Sequence, residues 1–164
     1  MRELDHRLMR YIDLLVERYP SLDSAKNDIV AAYLLLEESY ENGGKLLVAG
    51  NGGSAADAEH IVGELMKGFK RPRKPETDFA ERLVAENQEL GAVLAENLQG
   101  ALPAIALDGH PALSTAYMND CEPLLCFAQQ INGTVNPGMS SLAFLPVVTV
   151  RMFYLPQLLR TPRE

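Results

Sequence analysis

His60 and Glu64 stand four residues apart in Glu59-His60-Ile61-Val62-Gly63-Glu64, a spacing that brings both side chains to one face of a helix. An imidazole and a carboxylate so placed can ligate a divalent transition metal such as zinc, and a carboxylate at a water-poor site can act as a general base. Two donors are fewer than the three or four that hold zinc, so further ligands must come from elsewhere. The same spacing also describes a surface ion pair worth about 0.2–0.5 kcal/mol, and the residues alone favour that plainer reading. Glu59 falls off this face and is expected in solvent.

The segment that must position the pair is Leu46-Leu47-Val48-Ala49-Gly50-Asn51-Gly52-Gly53-Ser54, an apolar run broken by a glycine-rich turn. Gly50, Gly52 and Gly53 let the backbone approach an anion without Cβ interference, and a helix starting after Ser54 would aim its free N–H groups at that anion. Ser54-Ala55-Ala56-Asp57 fits a capping box. Neither the Gly-x-x-x-x-Gly-Lys-Ser pattern nor the dinucleotide spacing is present, so a sugar phosphate is the better ligand expectation. An ordinary strand-to-helix turn accounts for the loop equally well. The catalytic reading requires His60 and Glu64 to overhang the seat that the turn builds.

At 164 residues, 47% hydrophobic and 23% charged, the chain has the size and composition of one globular domain. A net charge of −7 argues against non-specific nucleic-acid binding. The basic run Lys67 to Lys74, stiffened by Pro72 and Pro75, reads as a solvated connection. No stretch of eighteen apolar residues suggests a membrane span, and Met1-Arg2-Glu3-Leu4 does not open a signal peptide, so a cytoplasmic location is expected. Cys121 and Cys126 have neither redox spacing nor enough partners for a cysteine zinc site, and are expected to be reduced core thiols.

Leu4, Leu8, Tyr11, Ile12 and Leu15 recur at helical spacing up to Pro20, and a second helix carries Ile29 to Tyr40, so two helices are predicted over 2–42. Strand, turn and helix follow over 45–70, a helical insertion with a break at Asn87-Gln88-Glu89 over 76–99, and a strand with further helices over 103–133. Strands alternating with helices define an α/β fold with a parallel sheet and a ligand at the strands' carboxyl ends. Asn119-Asp120, expected between two helical segments, either caps the next helix or turns toward sugar hydroxyls. The first two helices carry tyrosines and leucines over more of their circumference than one sheet face covers, which points to a homo-oligomer.

Taken together, Ala49-Gly-Asn-Gly-Gly-Ser-Ala-Ala-Asp-Ala-Glu-His60, then Glu64-Leu65, Ala104-Ile-Ala-Leu107 and Asn119-Asp120, resemble the sugar isomerase (SIS) family, and within it the phosphoheptose isomerases, from about residue 5 to Gly138. The resemblance implies a three-layer parallel-sheet fold and a cytoplasmic homotetramer. It also implies conversion of sedoheptulose 7-phosphate to D-glycero-D-manno-heptose 7-phosphate, a precursor of bacterial surface heptose. Asn51, Gly52, Gly53, Ser54, Asn119 and Asp120 would contact the substrate. His60 and Glu64 would ligate zinc, with Glu64 also touching substrate as the base. The alternative is a non-catalytic SIS module that binds a phosphosugar or a replication initiator; retention of both His60 and Glu64 favours the enzyme.

Two departures accompany the resemblance. Met66-Lys67-Gly68 stands where a basic residue is expected soon after the glutamate. From Gly138 onward the family continues with a third strand, a Ser-Thr-Ser-Gly-Asn-Ser loop for phosphate, and a helix bringing a glutamine and a second histidine to the metal. This chain reads Met139-Ser140-Ser141-Leu142-Ala143-Phe144-Leu145-Pro146 instead. Synonymous codons for this stretch, with one base restored, spell Asp-Val-Phe-Leu-Gly-Ile-Ser-Thr-Ser-Gly-Asn-Ser. Residues 1–138 are therefore expected to be a partial SIS domain with its C-terminal half incomplete, and 139–164 an aberrant, frameshifted tail. Pro146, Pro156 and Pro162 suit neither a long helix nor a central strand there, so the tail is expected to pack poorly and the chain to have little or no activity.

Overall fold

The computed structural model describes residues 4–135 and the backbone of 142–146. Lys45–Ala49 forms β1, the middle strand of a parallel sheet ordered β2-β1-β3, with β2 at Ala104–Ala106 and β3 at Leu142–Pro146. Leu47 pairs with Ile105 on one side and with Phe144 on the other. A strand with neighbours at both edges and layers on both faces has no solvent side, which is why its sequence is apolar without alternation. Leu46, Leu47 and Val48 are exposed by 2%, 0% and 0%. Each such side chain contributes about 1.5–3 kcal/mol by leaving water.

Seven α-helices are described: α1 His6–Arg18, α2 Lys26–Glu41, α3 Gly53–Met66, α4 Thr77–Glu86, α5 Gln88–Asn97, α6 Pro111–Asp120 and α7 Cys126–Thr134. A 3-10 segment, Pro20–Ala25, joins the first two. The strand pleat sends alternate residues of β1 to opposite layers. Leu47 and Ala49 pack with Leu107, Ala128 and Ile131, while Leu46 and Val48 pack with Ala58 and Ala104, backed by Leu36, Ile61 and Leu65. The sheet thus lies between α7 on one face and α2 with α3 on the other, the three-layer α/β arrangement expected.

The insertion folds as a helical hairpin that breaks at Asn87, whose side chain accepts the Leu90 N–H at 2.8 Å and caps α5. Gly91 lies so close to the Leu83 carbonyl that any Cβ there would collide with it. The hairpin packs on itself and against little else. Residues 67–74 are an exposed connection as expected, except for Arg73, whose guanidinium donates to the Leu65 and Gly100 carbonyls and ties the two ends of the excursion together.

Three expectations change. The helix after the glycine turn runs from Gly53 to Met66, not from Ser54 to about Lys70: the backbone is already extended at Lys67, ahead of the helix-breaking Gly68. Cys126 is buried but Cys121 is exposed, so only one thiol belongs to the core. Leu142–Pro146, inside the segment expected to pack poorly, pairs in parallel with β1 as the outer strand among the described residues, with Pro146 at its last position. Residues 136–141 and 147–164, which hold most of the proposed aberrant tail, lie outside the described residues.

Candidate functional site

The glycine turn sits at the carboxyl end of β1. Gly52 has φ +58°, the left-handed region where a Cβ is strained, and it caps α3. Gly50 contributes in a different way: a Cβ there would run into the Ser54 carbonyl, so only glycine lets the turn fold onto the helix. Ser54 does not act through a capping box with Asp57. It lies inside the first turn of α3, where its Oγ accepts the Asn51 N–H and donates to the Asn51 carbonyl, both at 2.8 Å. The Ser54 and Ala55 amides point to the Asn51 and Gly52 carbonyls at 3.2 and 3.1 Å. Among the described residues the amides of Gly50, Gly52 and Gly53 make no such bond, so the free donors of the turn are those of its three glycines and not those of Asn51, Ser54 and Ala55.

Gly50, Asn51 and Gly52 open on a pocket of about 310 Å³, whose other walls include Ala55 from α3, Asp108 after β2, Ser114 from α6 and Phe127 from α7. Its place outside the strand ends matches the expectation for an open parallel sheet. Asp108 Oδ1 is buried without a hydrogen-bond partner among the described residues. The sequence marks this aspartate only as part of a turn; its position directly after a parallel strand was the available sign. Behind the Ser114 wall, buried Gln130 accepts at 3.1 Å through Oε1 from the His110 Nδ1–H, and its Nε2 donates to Ser114 Oγ at 3.3 Å. That amide ties α7 to α6 and fixes the Ser114 wall.

His60 Nε2 and Glu64 Oε1 are 3.6 Å apart, as the i,i+4 spacing requires. They do not overhang the turn. The imidazole is 77% exposed and the carboxylate 45%, and neither lines the pocket. Ser54, Ala58, Ile61 and Leu65 face the sheet, and Ala55 faces the pocket. At about 100° per residue, His60 and Glu64 lie about 140° and 180° round α3 from Ala55. Within one chain the pair therefore faces solvent, which corrects the expectation that it hangs over the anion seat. No third histidine, cysteine, aspartate or glutamate joins it in a group fit for a metal among the described residues, so this donor set alone does not fit zinc.

Asn119 and Asp120 are also displaced from their expected setting. They end α6 rather than separate two helices, they are exposed, and Asn119 Nδ2 donates to Asp120 Oδ1 at 2.7 Å. The next turn is capped instead by Glu122, whose carboxylate accepts from the Leu124 N–H. Neither residue lines the pocket, though Met118 just before them does.

An open parallel sheet carrying a glycine turn, with a pocket at its strand ends, defines a protein of the α/β class. The SIS domain model matches residues 10–106, and the chain belongs to the SIS domain family. It is similar to the phosphoheptose isomerase of Crocosphaera subtropica, 36% identical over 63% of this chain and 40% of that protein. The phosphoheptose isomerase of Geotalea daltonii is 37% identical over 67% of this chain and 44% of its own length. That of Geobacter sp. strain M21 is 30% identical over 93% of this chain and 67% of its own length. The chain spans less than half the length of the first two. Among the described residues no helix is long and apolar enough to cross a membrane.

Proposed function

We propose that this chain carries part of the site of a cytoplasmic phosphosugar aldose–ketose isomerase that converts sedoheptulose 7-phosphate to D-glycero-D-manno-heptose 7-phosphate. The observation that carries the reading is the juxtaposition of the Gly50-Asn51-Gly52 turn with the Asp108 side chain in the lining of one pocket. A polyol phosphate offers hydroxyl donors to the carboxylate and acceptors to the free amides. The similar proteins are named phosphoheptose isomerases, which supports a phosphosugar isomerase, and the particular substrate follows the family resemblance.

Ketose–aldose exchange moves a proton between adjacent carbons through an enediol, and it needs a base beside the sugar and stabilisation of the developing oxyanion. Glu64 is the proposed base. Since Glu64 is exposed on α3, the reading assigns it to a cavity completed by a second subunit of the proposed homotetramer. Zinc enters this reading only with donors supplied from outside the described residues. Alone, the chain is proposed to bind the sugar phosphate without measurable turnover.

The test is sedoheptulose 7-phosphate isomerisation, with and without zinc, by this chain and by a version with the reading frame restored after Gly138. Turnover by the restored chain alone is expected. No turnover by a folded restored chain overturns the reading. One observation favours a second reading, a non-catalytic SIS module binding a phosphosugar or a replication initiator: His60 and Glu64 stand outside the pocket. Sugar binding without turnover in the restored chain would support it.

A further inference from the structure

The α4–α5 hairpin has a charge pattern that the other described residues do not answer. Residues 76–97 contain six acidic side chains and one arginine, and the tip carries Glu86 and Glu89 on either side of Asn87. The root, residues 67–74, contains five cations and no acid. Lys70 and Arg71 are exposed there beside Phe69, itself 73% exposed. The ion pairs of the described residues involve His6, Arg7, Lys26 and His60 with nearby carboxylates, so neither set is neutralised that way. Arg71 donates only to the neutral Tyr11 hydroxyl, at 3.4 Å. Between tip and root the hairpin also exposes Val84, Leu90 and Val93.

A ten-residue helix is about 15 Å long, so the tip cannot fold back onto its own root. A second copy can supply what one copy cannot. Two hairpins laid antiparallel about a twofold axis bring each acidic tip to the other's basic root and close Leu90 and Val93 between them, one patch serving both subunits. We propose that the α4–α5 hairpin is a self-association arm that docks on the basic root of a second copy of this chain. This contact is independent of the substrate assigned to the pocket.

Sedimentation velocity over a concentration series tests it. The chain is expected to associate, more weakly as salt rises. Glu86→Lys with Glu89→Lys, and separately Lys70→Glu with Arg71→Glu, should each weaken association about tenfold or more while circular dichroism stays that of the parent. Mixed in equal amounts, the two reversed chains should associate again, because the reversed tip then meets the reversed positions 70 and 71, and the unreversed tip meets an unreversed root. The milder pair Glu86→Gln and Glu89→Gln should fall between parent and reversal, which guards against misfolding by the lysines. A parent that is monomeric throughout, as it would be if the arm served another protein, overturns the proposal. So do reversed chains that associate like the parent, or a mixture that stays apart.

Discussion

Ser54 Oγ lies 2.8 Å from both the nitrogen and the carbonyl oxygen of Asn51, so one hydroxyl closes the glycine turn from its two sides. Ser54 is buried, and removing its hydroxyl leaves the Asn51 N–H without its partner, while the Asn51 carbonyl keeps the Ser54 N–H. Ser54→Ala is expected to cost about 1–3 kcal/mol in urea unfolding. Gly50→Ala should be worse, because its Cβ meets the Ser54 backbone carbonyl, which cannot move without unwinding the start of α3.

Two other glycines should respond with opposite signs. Gly63 sits mid-helix with open space where a Cβ would go, so Gly63→Ala is expected to stabilise by about 0.5–1 kcal/mol. Gly91→Ala forces α4 and α5 apart at the Leu83 carbonyl. Since that hairpin packs mainly on itself, the expected readout is faster proteolysis confined to 77–97, with the melting of the sheet domain little changed.

Tyr40 packs against the core, where burial pushes its phenol above the ordinary value, and its hydroxyl finds no partner among the described residues. A raised folded value means the native state holds the proton more tightly than the unfolded chain. Stability from this group is therefore complete below the phenol's ordinary range of about 10 and declines as pH rises through the folded value. Tyr40→Phe should remove that alkaline decline and gain about 1 kcal/mol at neutral pH by deleting an unpaired hydroxyl. Denaturant titrations at pH 7 and above pH 10 check both.

The exposed His60–Glu64 pair separates structure from chemistry. Its contact is worth no more than about 0.5 kcal/mol, so His60→Ala and Glu64→Gln should leave unfolding nearly unchanged. In the frame-restored protein Glu64→Gln is nevertheless expected to abolish isomerisation. Full activity in that variant removes Glu64 as the base.

The sequence made β1 legible, because only a strand covered on both faces needs Leu46-Leu47-Val48-Ala49 unbroken, and it made the hairpin break legible through Asn87. It also announced the glycine turn. It did not show how the turn is used: Ser54 bonds backward to Asn51 rather than forward to Asp57, a choice fixed by the left-handed Gly52 and invisible in residue types. The i,i+4 rule placed His60 beside Glu64 correctly but carries no information about which side of α3 meets the pocket. That depends on which residues the sheet buries. Asp108 escaped notice because an aspartate before glycine reads as turn chemistry, and only the tertiary fold brings it to Asn51.

The account rests on a sugar phosphate seated between the glycine turn and Asp108. Titrating sedoheptulose 7-phosphate into the isotope-labelled chain and following backbone amides by NMR tests this directly. The account predicts saturable shifts at Asn51, Gly52, Gly53 and Asp108, lost in Asp108→Ala. Unmoved amides at those positions, in a protein whose spectrum shows it folded, would contradict it.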